Sequence, residues 1–575
     1  MRMSEAITSE TVSGRIEAAA EAIGPEADFF ARHDPTSFGR ALAQAGAAVA
    51  TNPLEAWTAA VRFAGRLTEA ACATVARFGG HETPVTLAPE PRDRRFVDPA
   101  WQSHPWFFAH RQAYLAWAHY VHELLTVGDA EAPEAAKAAF ALGMIVDALA
   151  PTNFLPTNPV ALRKAVETGG ASVVQGLRNF LDDLLTNDGR PRQVDRSVLE
   201  VGRDLAVTPG KVVFRNELME LIQYEPQTRT VLEIPLLLSP PFINKYYVMD
   251  LSPGRSFVEW AVQHGHTVFA ISYRNPDESM RDVTLDDYVI EGPRQALDVV
   301  RQITGAAQVN VVGLCVGGTM TAMLLAYLAE SDPGLVRSAT LLNTLVDFTD
   351  PGILGVFTDE ASILGLERRM AGPGFMEPSQ MADTFNALRG NDLIWNYVAA
   401  NWLMGETPPA FDILAWNADG TRMPAGMYSF YLRSCYAENR LARGTMTVAG
   451  KRLCPGEITA DAYIVGALED HIVPWTSSYA TTRVLNSSLR FVLTSSGHVA
   501  GIVNPPSPKR RYWTNDELPE TAEEWRSGAT AHTGSWWEDW SAWIKPRAGR
   551  RRPPPATGSP EHPALDDAPG SYVHG

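Results

Sequence analysis

The first chemical signal in the chain is a cysteine held at a bend. The stretch VNVVGLCVGGTMTAMLLAYLAE places Gly313, Leu314, Cys315, Val316 and Gly317 between an apolar run of strand character and an apolar run of helical character. A strand that turns at once into a helix leaves room only for small residues around the turn, which accounts for the flanking glycines. Such a bend lifts Cys315 out of a sheet toward a helix N-terminus, where the dipole favours an anion such as a thiolate nucleophile. A buried cysteine in a glycine-containing turn reads the same way in isolation, so partners further along the chain decide between the two. Asp470 follows the strand-like DAYIVGALE, a position from which a carboxylate orients an imidazole, and His498 follows FVLTSSG in a Ser/Gly turn. Cys315, Asp470 and His498 therefore occur in the order nucleophile, acid, base, which predicts a catalytic triad. His471, adjacent to Asp470, is read as a structural neighbour, because the base of such a triad comes from a later loop. An oxyanion formed at the attacked carbonyl would be held by the backbone N–H of Val316 and by one from the loop after VLEIPLLLSPPFINKYY, with Ile243 as the candidate.

Positioning such a triad requires a particular scaffold. From near residue 212 the pattern strand, loop, helix recurs through KYYVMDL, SFVEWAVQHG, HTVFAISYRNP, EGPRQALDVVRQI and VNVVG. Short apolar strands alternating with helices predict a mostly parallel sheet covered on both faces, an α/β-hydrolase fold over residues 216–548. Between residues 345 and 445 the rhythm breaks into a long aromatic segment, read as a cap insertion over the active site. Trp395, Tyr397 and Trp402 in that segment are candidates to line a channel, although ordinary packing explains them equally well. Residues 1–215 carry Ala-rich helical patterns and predict an all-helical amino-terminal domain whose first ~30 residues are disordered. Trp101, Trp106, Phe107, Phe108, Tyr114, Trp117 and Tyr120 in that domain suit a core between helices or a surface for an apolar particle. The tail over residues 549–575, rich in Pro and charge, is expected to be disordered.

Composition narrows the partners. At 575 residues the chain exceeds one compact core of ordinary size. With 49 Lys and Arg against 66 Asp and Glu, the net charge of −17 argues against nucleic acid, and an anionic ligand would need a local basic pocket. Cys72, Cys315, Cys435 and Cys454 show no CxxC pair and no close Cys/His spacing, so no metal site is expected. The opening MRMSEAITSE has no signal-peptide stretch and no window is long and apolar enough to span a bilayer, which predicts a cytoplasmic protein with reduced thiols.

Taken with these residues, longer segments resemble polyhydroxyalkanoate synthases. In the helical half they are DRRFVDPAW, NFLPTNPVALRKAVETGG and AVTPGKVVFRNELMELIQY. In the catalytic half they are PPFINKYYVMDL, GLCVGG, VDFTDPGILGVFTDE, EDHIVPW, SGHVAGIVNPP and GSWWEDW. By this likeness Cys315 takes the family's nucleophile position, Asp470 its carboxylate and His498 its base. The resemblance implies that (R)-3-hydroxyacyl-CoA is polymerised through a Cys-bound thioester, with CoA carried in by the substrate and released and no separate cofactor. The MYSFYLR segment is similar to the single-subunit, class I synthases that act on short monomers such as 3-hydroxybutyryl-CoA. A homodimer, a cap that opens and a cytoplasmic polyester-granule surface are further implications. A thioesterase or esterase on the same scaffold, and a non-catalytic granule-binding protein, remain the alternatives.

Overall fold

Proline lacks the N–H that the first turn of a helix leaves unpaired, and it opens the long helices of the amino-terminal half. In the computed structural model, which describes residues 35–81, 83–91, 93–128 and 132–575, these are α1 (Pro35–Thr51), α2 (Pro53–Phe78) and α3 (Pro105–Leu125), followed by α4 (Ala132–Ala148) and α5 (Ala171–Thr186). The disordered lead expected over the first ~30 residues lies outside the described residues. Phe63 of α2 stacks on Tyr120 of α3 at 4.7 Å between ring centroids. Phe96, Trp101, Phe107, Tyr114 and Leu115 form a buried cluster, so most of the aromatic-rich stretch is core, whereas Trp106 is exposed.

The helical unit ends earlier than expected and gains a distant segment. It comprises the described residues up to Asp195 together with Asp383–Pro409, not residues 1–215. Segment 383–409, assigned above to the cap, packs here for a local reason. Trp402 Nε1 donates to Asp183 Oδ2 at 2.9 Å, its ring meets Phe180 edge-on at 5.0 Å, and Gly176 lies so close to the Trp402 carbonyl that a Cβ would collide with it. Trp395, Tyr397 and Trp402 thus belong to the helical unit.

The second unit, Arg196–Ala382 with Ala410–Gly575, is built on a ten-stranded sheet. Its strands are β1 (Gly210–Arg215), β2 (Met219–Tyr224), β3 (Leu236–Ser239), β4 (Val268–Tyr273), β5 (Val309–Leu314), β6 (Val336–Leu342), β7 (Asp461–Ala467), β8 (Leu489–Thr494), β9 (Arg511–Thr514) and β10 (Thr530–Thr533). The spatial order is β1-β2-β4-β3-β5-β6-β7-β8-β9-β10. β3 to β8 are parallel, with antiparallel pairs at both margins. β2, β4 and β5 are buried along their whole length, as a sheet covered on both faces requires. This is the α/β-hydrolase architecture.

The tail over residues 549–575 is ordered, which corrects the expectation of disorder. β1 is a sheet margin, and unpaired edge groups attract any chain that can satisfy them. The tail does so: Leu565 N–H donates to the Val212 carbonyl, Val212 N–H to the Asp566 carbonyl and Ala568 N–H to the Gly210 carbonyl, at 2.8, 2.8 and 2.9 Å. The fully buried Glu220 carboxylate accepts from the backbone N–H groups of Ser571 and Tyr572, both at 3.0 Å, and from Ser571 Oγ at 2.7 Å. Arg551–Arg552 also pairs antiparallel with Val231–Leu232. Composition suggested a free tail; a remote edge strand and a buried acceptor order it.

Candidate active site around Cys315

β5 delivers Cys315 into a turn with φ 52° and ψ −123°, a backbone region that side chains rarely occupy, and α6 (Val316–Ser331) starts at the next residue. Neighbouring backbone enforces the bend. A Cβ on Gly317 would run into the carbonyls of Ser239 and Pro240, and one on Gly313 would meet Gly318 and Thr321. The Cys315 N–H donates to the Leu342 carbonyl at 2.8 Å, tying the bend to β6. As the first residue of α6, Val316 presents an N–H that no helical carbonyl can accept. Ile243 lies in the loop after β3. Thr421 fastens that loop, its Oγ1 donating to the Phe242 carbonyl at 2.7 Å and its N–H to the Ile243 carbonyl at 3.5 Å.

Two stitched turns bring the acid and the imidazole together. Leu468 N–H donates to the Thr494 carbonyl and Glu469 N–H to the Ser496 carbonyl, both at 2.9 Å. Asp470 Oδ1 accepts from the N–H groups of Ile472 and Val473, at 2.9 Å each, which leaves Oδ2 to meet His498 Nδ1 at 2.6 Å. Cys315 lies close enough to the same imidazole to raise its proton affinity. Burial by itself would lower the proton affinity of His498; Asp470 and Cys315 outweigh it, and the imidazole is held well above its ordinary range. Cys315, Asp470 and His498 are therefore side by side, whereas the half-buried His471 stands outside the Asp470–His498 pair.

Several contributors carry no readable signal of their own. Asn343, in the turn after β6 with φ 45°, donates through Nδ2 to the His498 carbonyl at 2.6 Å. The helix α7 (Trp536–Ile544) pins the loop beyond His498, since Trp536 and Trp537 donate their indole N–H to the carbonyls of Gly501 and Ile502 at 3.1 and 3.0 Å. Tyr431, buried, and Tyr436, partly buried, both lie within the electrostatic reach of Cys315, meet Phe348 at 6.2 and 4.9 Å and form an apolar wall. Burial first, and the neighbouring thiol and phenol groups second, push both phenols up, so they stay neutral. Among the described residues no group of His, Cys, Asp and Glu could hold a metal ion. A thiol, an imidazole of raised proton affinity, a buried carboxylate and an apolar wall suit acyl transfer.

Residues 92–261 match the family model described as "Poly-beta-hydroxybutyrate polymerase (PhaC) N-terminus", and residues 254–505 match the model described as "alpha/beta hydrolase fold". A curated relative from Cupriavidus necator, "Poly(3-hydroxyalkanoate) polymerase subunit PhaC", is 46% identical over 490 residues, covering 84% of this chain and 83% of that protein. "Poly(3-hydroxyalkanoate) polymerase" from Methylorubrum extorquens is 43% identical over 87% of this chain and 84% of its own length. "Poly(3-hydroxyalkanoate) polymerase subunit PhaC" from Rhizobium meliloti is 43% identical over 87% of this chain and 82% of its own length.

Proposed function

Because the chain belongs to the poly(3-hydroxyalkanoate) polymerase family, a family of acyltransferases, we propose that it polymerises (R)-3-hydroxyacyl-CoA of short chain length, such as 3-hydroxybutyryl-CoA, through a thioester on Cys315. The observation that carries this reading is the His498 imidazole bonded to the buried Asp470 at 2.6 Å while interacting with Cys315. In the first step the Cys315 sulfur attacks the thioester carbonyl, the bond to the CoA sulfur breaks, and CoA leaves with the proton from His498. One thioester replaces another, so the acyl group stays activated. His498, now neutral, takes the proton of the hydroxyl of a second 3-hydroxyacyl-CoA as that oxygen attacks the held acyl group. The Cys315–acyl bond breaks, and the chain, longer by one unit and carried on CoA, returns to Cys315 by the first exchange. Each cycle releases one CoA, and the reaction draws on groups of the chain, with no added cofactor. The N–H groups of Val316 and Ile243 are proposed to hold the oxyanion. Phe348, Tyr431 and Tyr436 support the exclusion of water, which competes with the hydroxyl.

The purified protein is expected to release CoA fastest from 3-hydroxybutyryl-CoA in a series of graded chain length, and to yield polymer of high mass. Free hydroxy acid in place of polymer would overturn this in favour of a thioesterase.

The working location is proposed to be a polyester-granule surface. Among the described residues no helix is long and apolar enough to cross a membrane. α2 nevertheless exposes Leu54, Trp57 and Val61 at helical spacing, and α5 exposes Val174, Leu177, Leu181 and Leu185. Leu54→Glu, Trp57→Glu and Val61→Glu together are expected to move the protein from floating granules to the soluble fraction, with CoA release changing by no more than about twofold. Full retention on granules would remove α2 as the contact.

A further inference from the structure

A CoA thioester brings several phosphates to a protein whose net charge is −17, so its far end needs a local concentration of unneutralised cations. Elsewhere in the catalytic unit several arginines are spent on carboxylates: Arg215 on Glu220, Arg255 on Asp412, Arg490 on Asp539 and Arg547 on Asp461. Lys509, Arg510 and Arg511 differ. They are consecutive, Lys509 and Arg511 are exposed, and among the described residues none of the three is ion-paired with a carboxylate. A run of charge is usually a solvated face, but this one is built into the turn that carries His498. Arg510 Nη1 donates to Ser496 Oγ at 3.3 Å, two residues before the imidazole, and Ser495 N–H donates to the Arg511 carbonyl at 3.0 Å. The Arg510 N–H donates to the Ser507 carbonyl at 3.1 Å, and its carbonyl accepts from Gly534 N–H at 3.0 Å, which fixes the basic turn from both sides. β9 runs antiparallel to β8, pairing Tyr512 with Thr494, so the three cations stand at the carboxyl edge of the parallel strands. Cys315 and His498 lie along that same edge, where ligands of such sheets bind.

We propose that Lys509, Arg510 and Arg511 form the docking site for the phosphates of the substrate's CoA moiety. The proposal rests on the reading of Cys315 and His498 as the acyl-transfer centre. The anchor from Arg510 to Ser496 fixes the distance from phosphate to base, and the pantetheine arm spans the remainder to the thiol.

The test compares 3-hydroxybutyryl-CoA with the N-acetylcysteamine thioester of the same acid, which lacks every phosphate. Lys509→Gln with Arg511→Gln, which leaves the Arg510 anchor in place, is expected to lower the preference for the CoA thioester, measured as the ratio of kcat/KM values, by about tenfold or more. Adding Arg510→Gln should lower it further. An equal loss on both thioesters would mean that the turn only positions His498, and would overturn the proposal. Binding of adenosine 3′,5′-bisphosphate to the Cys315→Ala protein supplies a readout without catalysis: it should weaken about tenfold when the two Gln substitutions are added, and unchanged binding would also overturn the proposal. Should Cys315→Ala alone leave CoA release intact, the acyl-transfer reading would fail by a separate measurement.

Discussion

Cys315→Ala is expected to reduce CoA release from 3-hydroxybutyryl-CoA by about 10⁴-fold or more, with thermal stability little changed. The side chain is small and partly accessible, and alanine meets the same backbone demand at φ 52° as cysteine does, so the bend survives the change. No other thiol can substitute. Cys435 is fully buried, and desolvation pushes its thiol far above its ordinary value, so it supplies no thiolate. Cys72 is exposed on α2 in the helical unit, and Cys454 lies just before β7. Acid quenching after a single turnover with labelled substrate should recover an acyl-protein thioester from the parent chain and none from the variant. Cys315→Ser should retain a trace of activity, since an oxygen nucleophile must first surrender its proton and then holds the acyl group as a less activated ester. Full CoA release by Cys315→Ala would remove the covalent mechanism.

How far this site is legible in the sequence depends on how local its causes are. Cys315, Asp470 and His498 each follow an apolar strand, in VNVVGL, DAYIVGA and LRFVLT, and a strand end is a nearest-neighbour pattern. Tyr431, Tyr436 and Phe348 are not legible as a unit. They meet one another through packing between segments far apart in the chain, and the backbone over Leu432–Ala437 winds more loosely than an α-helix, which spoils the helical period. Asn343 reads as an ordinary turn former, and only the fold reveals that its amide holds the His498 carbonyl. The same limit applies to the scaffold. The alternation of strands and helices predicts the parallel sheet, whereas the ordering of the tail depends on β1 and on Glu220, more than 300 residues away in the chain. The join of residues 383–409 to the helical unit likewise depends on partners such as Asp183 and Gly176.

Asp470→Asn tests the electrostatic half of the mechanism, and the direction of its effect follows from the balance at His498. Burial lowers the proton affinity of the imidazole; Asp470 and Cys315 raise it and prevail, so His498 holds its proton to higher pH than an ordinary imidazole does. In the proposed mechanism that proton is the one delivered to departing CoA. In the same mechanism, acylation of Cys315 removes one of the two influences holding the proton, which prepares His498 to accept a proton from the incoming hydroxyl. Asparagine keeps an oxygen for the N–H groups of Ile472 and Val473 but removes the carboxylate charge that raises the proton affinity of His498. kcat is expected to fall by about 10³-fold or more, and the alkaline limb of the kcat/KM profile to move toward lower pH. His498→Gln should lose activity at every pH, whereas His471→Gln should retain the parent profile; the opposite pattern would transfer the base to His471. An Asp470→Asn protein with diminished kcat and an unshifted profile would mean that Asp470 acts only by pinning its own turn, and the proton would then have to be held by Cys315 alone.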